Sequence, residues 1–258
     1  MNKFTKAIAA IMLMMVFTVS CNKPDEPNNG GNNNGQNDTI VDNSGSFNGH
    51  DYIDLGLPSG TLWATCNVGA EAPEEYGDYF AWGETEPKEI YDWSTYKYAK
   101  GDYDQLTKYC QNATYGYEGY TDALYVLESL DDAATVNWGD GWRMPSATEG
   151  EELLSQCSHQ RDTVNGVPGL RIVGTNGNSI FMPASGAKGD FLGSSPESLE
   201  VGHSGYYWVN ARNHAFNNYM VGDYDYVANF ISFPVVYSVG GWTYRSVGMS
   251  VRAVCTAQ

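Results

Sequence analysis

A chain of 258 residues with 31 acidic against 14 basic side chains carries a formal charge of −17 and contains no basic run. That balance excludes nucleic acid and other polyanions as partners, because such affinity rests on Lys and Arg neutralising phosphate. It suits solubility at a cell surface, Ca²⁺ binding or repulsion from anionic lipid. With 29 Gly, 19 Tyr and 7 Trp, the composition calls for short aromatic strands cut by Gly and Asn turns rather than long helices.

Residues 1–20 read as a bacterial export signal: Lys3 and Lys6 give the positive end, and Ile8 to Val19 the apolar run. The run is too short for a retained membrane span. It ends in Thr18-Val19-Ser20-Cys21, which resembles a lipobox and implies that Cys21 becomes a lipidated N-terminus anchored through its acyl chains. The Lys23-Pro24-Asp25-Glu26 run resembles signals that send lipoproteins of Bacteroides-type bacteria to the outer face of the outer membrane. Residues 21–46 form the lipidated end and a linker. Its Asn- and Gly-rich stretch has almost no apolar residue and cannot order itself by burial. Asp38-Thr39-Ile40 resembles an O-glycosylation acceptor, placing a sugar on Thr39; Asp162-Thr163-Val164 is a weaker second match.

Residues 47–258, about 210 in number, fit one domain with one sizeable core. Strands are expected at Tyr52–Leu55, Thr61–Ala64 and Tyr79–Trp82. Tyr91–Gly119 reads as a long surface excursion, and Leu124–Leu127 is apolar but ambiguous. Asp131-Asp132-Ala133-Ala134 can open a short helix with acids at its positive end. Ser146 and Glu149 make a capping box behind Pro145, so a second, amphipathic helix starts near Ser146. Trp138 and Trp142 bracket a Gly139-Asp140-Gly141 turn just before it. Further strands are expected at Arg171–Val173, Ser179–Met182, Tyr206–Val209, Ala228–Phe233 and Ser250–Val254.

GWRMPSATEGEELL (Gly141 to Leu154) resembles an element of the Fibrobacter succinogenes major paralogous domain. The stretches Asp51–Ala70, Gly77–Lys88, Gly174–Gly186, Gly205–Asn210 and Ser246–Val254 are similar to others of that family. The resemblance implies an α+β, C-type lectin-like fold on a secreted or surface protein, and no defined activity. In such folds the first helix region is often tied to the last strand, which implies Cys157–Cys255 and leaves Cys66–Cys110. Sequence alone permits three pairings, or buried free thiols. No C-x-x-C or His pair marks a zinc site.

WRMPSATEGEELL also resembles an element of formylglycine-generating enzymes, which share the fold and work through paired C-terminal cysteines. Here only Cys255 lies in that region, so the motif transfers as fold and not as activity. There is no G-x-S-x-G, and the adjacent acids Glu74/Glu75 and Asp131/Asp132 do not give the facing carboxyls of a glycosidase. The four histidines, His50, His159, His203 and His214, read as exposed loop residues. The expectation is therefore a protein that is not an enzyme and requires no cofactor, with Ca²⁺ as the one candidate. Asp102-Tyr103-Asp104 and Asp223-Tyr224-Asp225 present alternating oxygens in Gly-rich loops, and Asp223 and Asp225 are the candidate metal ligands.

The candidate working surface is Asn210–Tyr226, rich in Asn, Tyr, Arg and Asp. Rigid amphipathic tyrosines and adaptable amides make contact surfaces of the paratope type. Asn210, Arg212, Asn213, Asn217, Asn218, Tyr219, Asp223 and Tyr224 are its candidate ligand-binding residues, with Trp93 and Trp242 as further stacking platforms. The expected function is a lipid-anchored surface module that recognises a glycan or a protein. The alternative is a structural subunit of a surface assembly, such as a fimbrial tip or envelope complex.

Overall fold

In the computed structural model, the folded unit spans Ile40–Gln258. The structure describes residues 43–191, 199–212, 224–233 and 238–256. Ten strands and two α-helices are described, in three antiparallel sheets. The first sheet joins the two ends of the domain. Strands β1 (Gly45–Phe47), β2 (His50–Asp54), β3 (Thr61–Ala64) and β10 (Val254–Thr256) lie in that order. The domain begins earlier than Phe47: Gly45 pairs with Tyr52, and the Asn43 amide and side chain both donate to Asp54 at 3.1 Å. Gly45 and Ser46 lack an apolar side chain, so their pairing leaves no periodic trace in the sequence.

The second sheet is β4 (Ser158–Val164), β5 (Val167–Val173) and β6 (Ser179–Pro183). Asn165 and Gly166 turn its hairpin with φ of 48° and 85°, the left-handed pair that a tight two-residue turn needs. The third sheet is β7 (Gly205–Trp208), β8 (Val227–Phe233) and β9 (Ser238–Tyr244), with an irregularity in β8 between Phe230 and Ile231.

Both helices start where side chains can satisfy their free N–H groups. Asp132 caps α1 (Ala133–Trp138), accepting from the Ala134 and Thr135 amides. Ser146 caps α2 (Ala147–Gln156), and the reciprocal Glu149 bond completes the expected box. Glu149 also receives both guanidinium nitrogens of Arg143, at 2.5 and 2.7 Å, and the Thr61 hydroxyl at 3.0 Å. Burial pushes its carboxyl up, but these donors outweigh burial and hold it down at about 2.

The buried apolar residues form two clusters. One gathers Trp82, Trp142, Trp208, Tyr109 and Phe80; the other gathers Trp63, Leu153, Leu170, Ile172, Tyr207 and Ile231. Tyr91–Gly119 is not the surface excursion that its composition suggests. Tyr91, Tyr96, Tyr98, Leu106 and Tyr109 are buried, and their phenols are anchored. The Tyr96 hydroxyl donates to the Trp82 carbonyl at 2.7 Å, while Asp131 accepts from Tyr98, from Tyr109 at 2.7 Å and from Lys108 at 2.6 Å. Tyr79–Trp82 makes only an isolated bridge, Phe80 to Met249, and of Ser250–Val254 only Val254 enters a strand. Arg252 lies in this stretch. It is fully buried and donates to Asn67 Oδ1 and to the carbonyls of Ala64, Thr65 and Phe181, each within 3.1 Å.

Of the two states the sequence leaves open for the cysteines, the structure shows the free one at Cys66, Cys110, Cys157 and Cys255. Cys157 sits in one core cluster and Cys255 in the other, so the implied pair is not formed. Burial pushes Cys157 and Cys255 up to about 11, and burial with the adjacent Asp225 pushes Cys110 up to about 12. These thiols are packing groups rather than nucleophiles. His159 lies half-buried in β4 rather than in an exposed loop, and His214 lies outside the described residues. His50 is corrected too. It opens β2 and stacks on Trp138, ring centroids 3.9 Å apart, and burial lowers its pKa.

Candidate functional site

Residues 224–226 lead directly into β8, and β9 ends at Tyr244, so the Val227–Tyr244 pair sets Tyr226 beside Tyr244. Their rings are 6.0 Å apart. Tyr226 is the hub of a larger group. Tyr103 and Tyr115 meet its ring edgewise, each at 5.1 Å, and Tyr224 lies at 5.4 Å with a 33° tilt. Trp93 extends the group, 5.8 Å from Tyr244. Tyr103 and Tyr224 are exposed, while Tyr115, Tyr226, Tyr244 and Trp93 are half-buried. The two Asp-Tyr-Asp loops, far apart in sequence, thus converge on one tyrosine.

The loops are held together from beneath. Arg212 and Asp225 are both buried and form an ion pair. The other Asp225 oxygen accepts the Gln111 amide at 2.8 Å and the Asn112 amide at 2.6 Å. Arg212 Nε donates to the Leu124 carbonyl at 3.1 Å. One carboxylate therefore fastens the Tyr224–Tyr226 segment to the loop that carries Tyr115. Aromatic pairs at these distances contribute about 0.5–1.5 kcal/mol each, so the platform is pre-ordered on a charged clamp rather than carried on a free loop.

This geometry corrects two expectations. Arg212 is not at the surface, so it positions the loops instead of meeting a ligand. Asp225 turns inward, with both oxygens engaged, and does not present itself to a cation as a loop ligand would. Among the described residues no group of three or more His, Cys, Asp or Glu side chains could hold a metal ion. Asn210 is half-buried; its amide donates to the Pro145 carbonyl and its carbonyl accepts from Leu127, which ties the end of β7 to the start of α2. Tyr224 is where the sequence places it, exposed and part of the group. Asn213, Asn217, Asn218, Tyr219 and Asp223 lie outside the described residues, as do Cys21 and Thr39. Trp242 is exposed, and Trp93 joins the tyrosines. Tyr115 and Tyr244 were not legible as site residues. Only the Tyr-rich character of their segments hints at them.

The electrostatics are uniform. Partial burial raises the Tyr115, Tyr226 and Tyr244 phenols. Neighbouring hydroxyls add to this, with Asp225 near Tyr115 and Asp190 near Tyr244. These three phenols are therefore protonated at neutral pH and offer hydroxyls that both donate and accept. A cavity of about 530 Å³ elsewhere, lined by Arg161, Pro168, Ala184, His203 and Phe233 among others, shares no residue with it. The chain matches no known family model, no curated protein and no solved structure.

Proposed function

We propose that this chain is a non-catalytic recognition module that binds glycans through the tyrosine group centred on Tyr226. The observation that carries the reading is the convergence of five tyrosines and Trp93 in one ring network, two of the tyrosines, Tyr103 and Tyr224, exposed. Rigid amphipathic rings provide contact area at low entropic cost. Their apolar faces suit sugar C–H groups, and their hydroxyls suit sugar hydroxyls. The C-type lectin-like fold belongs to this proposal, supported by the sequence resemblance and by the α+β architecture. Export, lipidation at Cys21 and display on the outer membrane belong to it too, supported by the apolar leader and its lipobox-like end.

The test is a binding screen of the folded chain against a broad glycan panel, with Tyr226→Ala and Tyr103→Ala beside the wild type. Interface tyrosines of this kind contribute about 1–2 kcal/mol or more each. Each substitution is expected to weaken binding by about tenfold with unchanged circular dichroism. Equal affinity in all three proteins would remove the tyrosine group from the site.

A further inference from the structure

We infer that the ligand of the Tyr226 group is an uncharged glycan, held without calcium; this rests on the recognition reading above. Three observations lead there. The first is the inward turn of Asp225. Calcium-dependent sugar binding needs carboxylates that face a cation shared with the sugar. Here the Asp225 carboxylate is closed over Arg212 and the Gln111 and Asn112 amides.

The second is the charge around the rings. Asp102 and Asp104 are exposed on either side of Tyr103, and Asp190 acts on Tyr244. The cations that stand over aromatic rings do so elsewhere: Lys88 over Tyr91 and Tyr96, Lys108 over Tyr109, Lys188 over Tyr79, Arg212 over Tyr125 and Arg245 over Trp82. Among the described residues none stands over Tyr103, Tyr115, Tyr224, Tyr226, Tyr244 or Trp93. A sialic acid, uronate or sulfate would approach these like charges with no cation standing over the rings to receive it.

The third is the shape of the group. The rings around Tyr226 are tilted by 33°, 52°, 72° and 82° to it. Their planes stand at several angles, so the group presents ring faces and ring edges side by side. That arrangement fits a ring that is apolar on its faces and hydroxylated around its rim, which describes a neutral pyranose.

The experiment uses the full chain against two immobilised sets. One holds neutral oligosaccharides (glucan, mannan and galactan fragments) and the other sialylated and uronate-bearing ones; each is read in calcium and then in EDTA. The expected result is retention by the neutral set only, unchanged by EDTA, and about tenfold weaker in Tyr226→Ala. Tyr103→Ala, at an exposed position, guards against a folding defect at the hub. The double change Asp102→Asn, Asp104→Asn is expected to keep neutral binding and begin to admit uronates. Retention of the acidic set alone, or loss of binding in EDTA, would overturn the inference while leaving a recognition module in place. A protein captured through the same tyrosines, with no glycan retained, would do the same. Retention of nothing would overturn both readings.

Discussion

Glu149 shows how much one side chain organises. It closes the cap of α2, receives Arg143 in a two-pronged bond and takes the Thr61 hydroxyl from β3. Its ordinary pKa is 4.5 and its folded value is about 2. A depressed carboxyl stabilises the fold above its unfolded pKa, and that contribution disappears as pH falls through the folded value. The loss should therefore run from about pH 5 to about pH 2, on the order of 2–3 kcal/mol. In Glu149→Gln the unfolding free energy from urea titration at neutral pH is expected to fall by that much, and its decline between pH 5 and pH 2 to flatten. A parallel decline in both proteins would show that other carboxyls govern acid unfolding. Asp131 is a second such point. Burial pushes it up, yet Lys108 and the Tyr98 and Tyr109 hydroxyls bring it below the ordinary range.

Elements were legible where local chemistry decides them. The Ser146–Glu149 box and the turn that precedes Thr61–Ala64 locate α2 and β3 to within a residue. The Val-Asn-Gly-Val turn of β4–β5 carried the same kind of signal, although its strand β4 is too polar to show a period. Tyr91–Gly119 was illegible because nothing periodic holds it. Its order comes from phenols reaching distant carbonyls and Asp131, which are tertiary facts. The site was legible by half. The two Asp-Tyr-Asp stretches drew notice for their acids, whereas the structure uses their tyrosines outward and Asp225 inward. Spacing along a loop does not reveal which side chain faces the core. The clamp gives a prediction at this scale. Arg212→Met would leave Asp225 buried without its cation, at a cost of about 3–5 kcal/mol. The expected result is a large fall in the thermal midpoint, with glycan affinity lost before the fold is; a melt within a degree or two of wild type would mean that the pair is not structural.

At the scale of the whole molecule, the fold class follows from composition and turns, but the sheet partners do not. β3 pairs with β10 across almost the entire domain, Thr61 opposite Thr256 and Trp63 opposite Val254. Val254 also bridges to Arg143 beneath the α2 cap. Both Val254 and Cys255 are buried. A chain ending at Ala253 is expected to lack a cooperative urea transition and near-ultraviolet circular dichroism, because it opens the edge of β3 and both core clusters together. A sharp transition in that truncated chain would show that the remaining sheets are self-sufficient.

That late closure has a consequence for the order in which the chain acquires its shape. Pairing so distant in sequence forms slowly, since the loop entropy must be overcome before the contact stabilises anything. A ribosome delivers β10 after every other described strand of this domain, so Leu62 and Trp63 lack that partner until it emerges. For a chain exported as proposed above, the same delay is useful. Under that proposal a polypeptide whose β3 still lacks β10 would remain open enough to thread, and would close once β10 pairs.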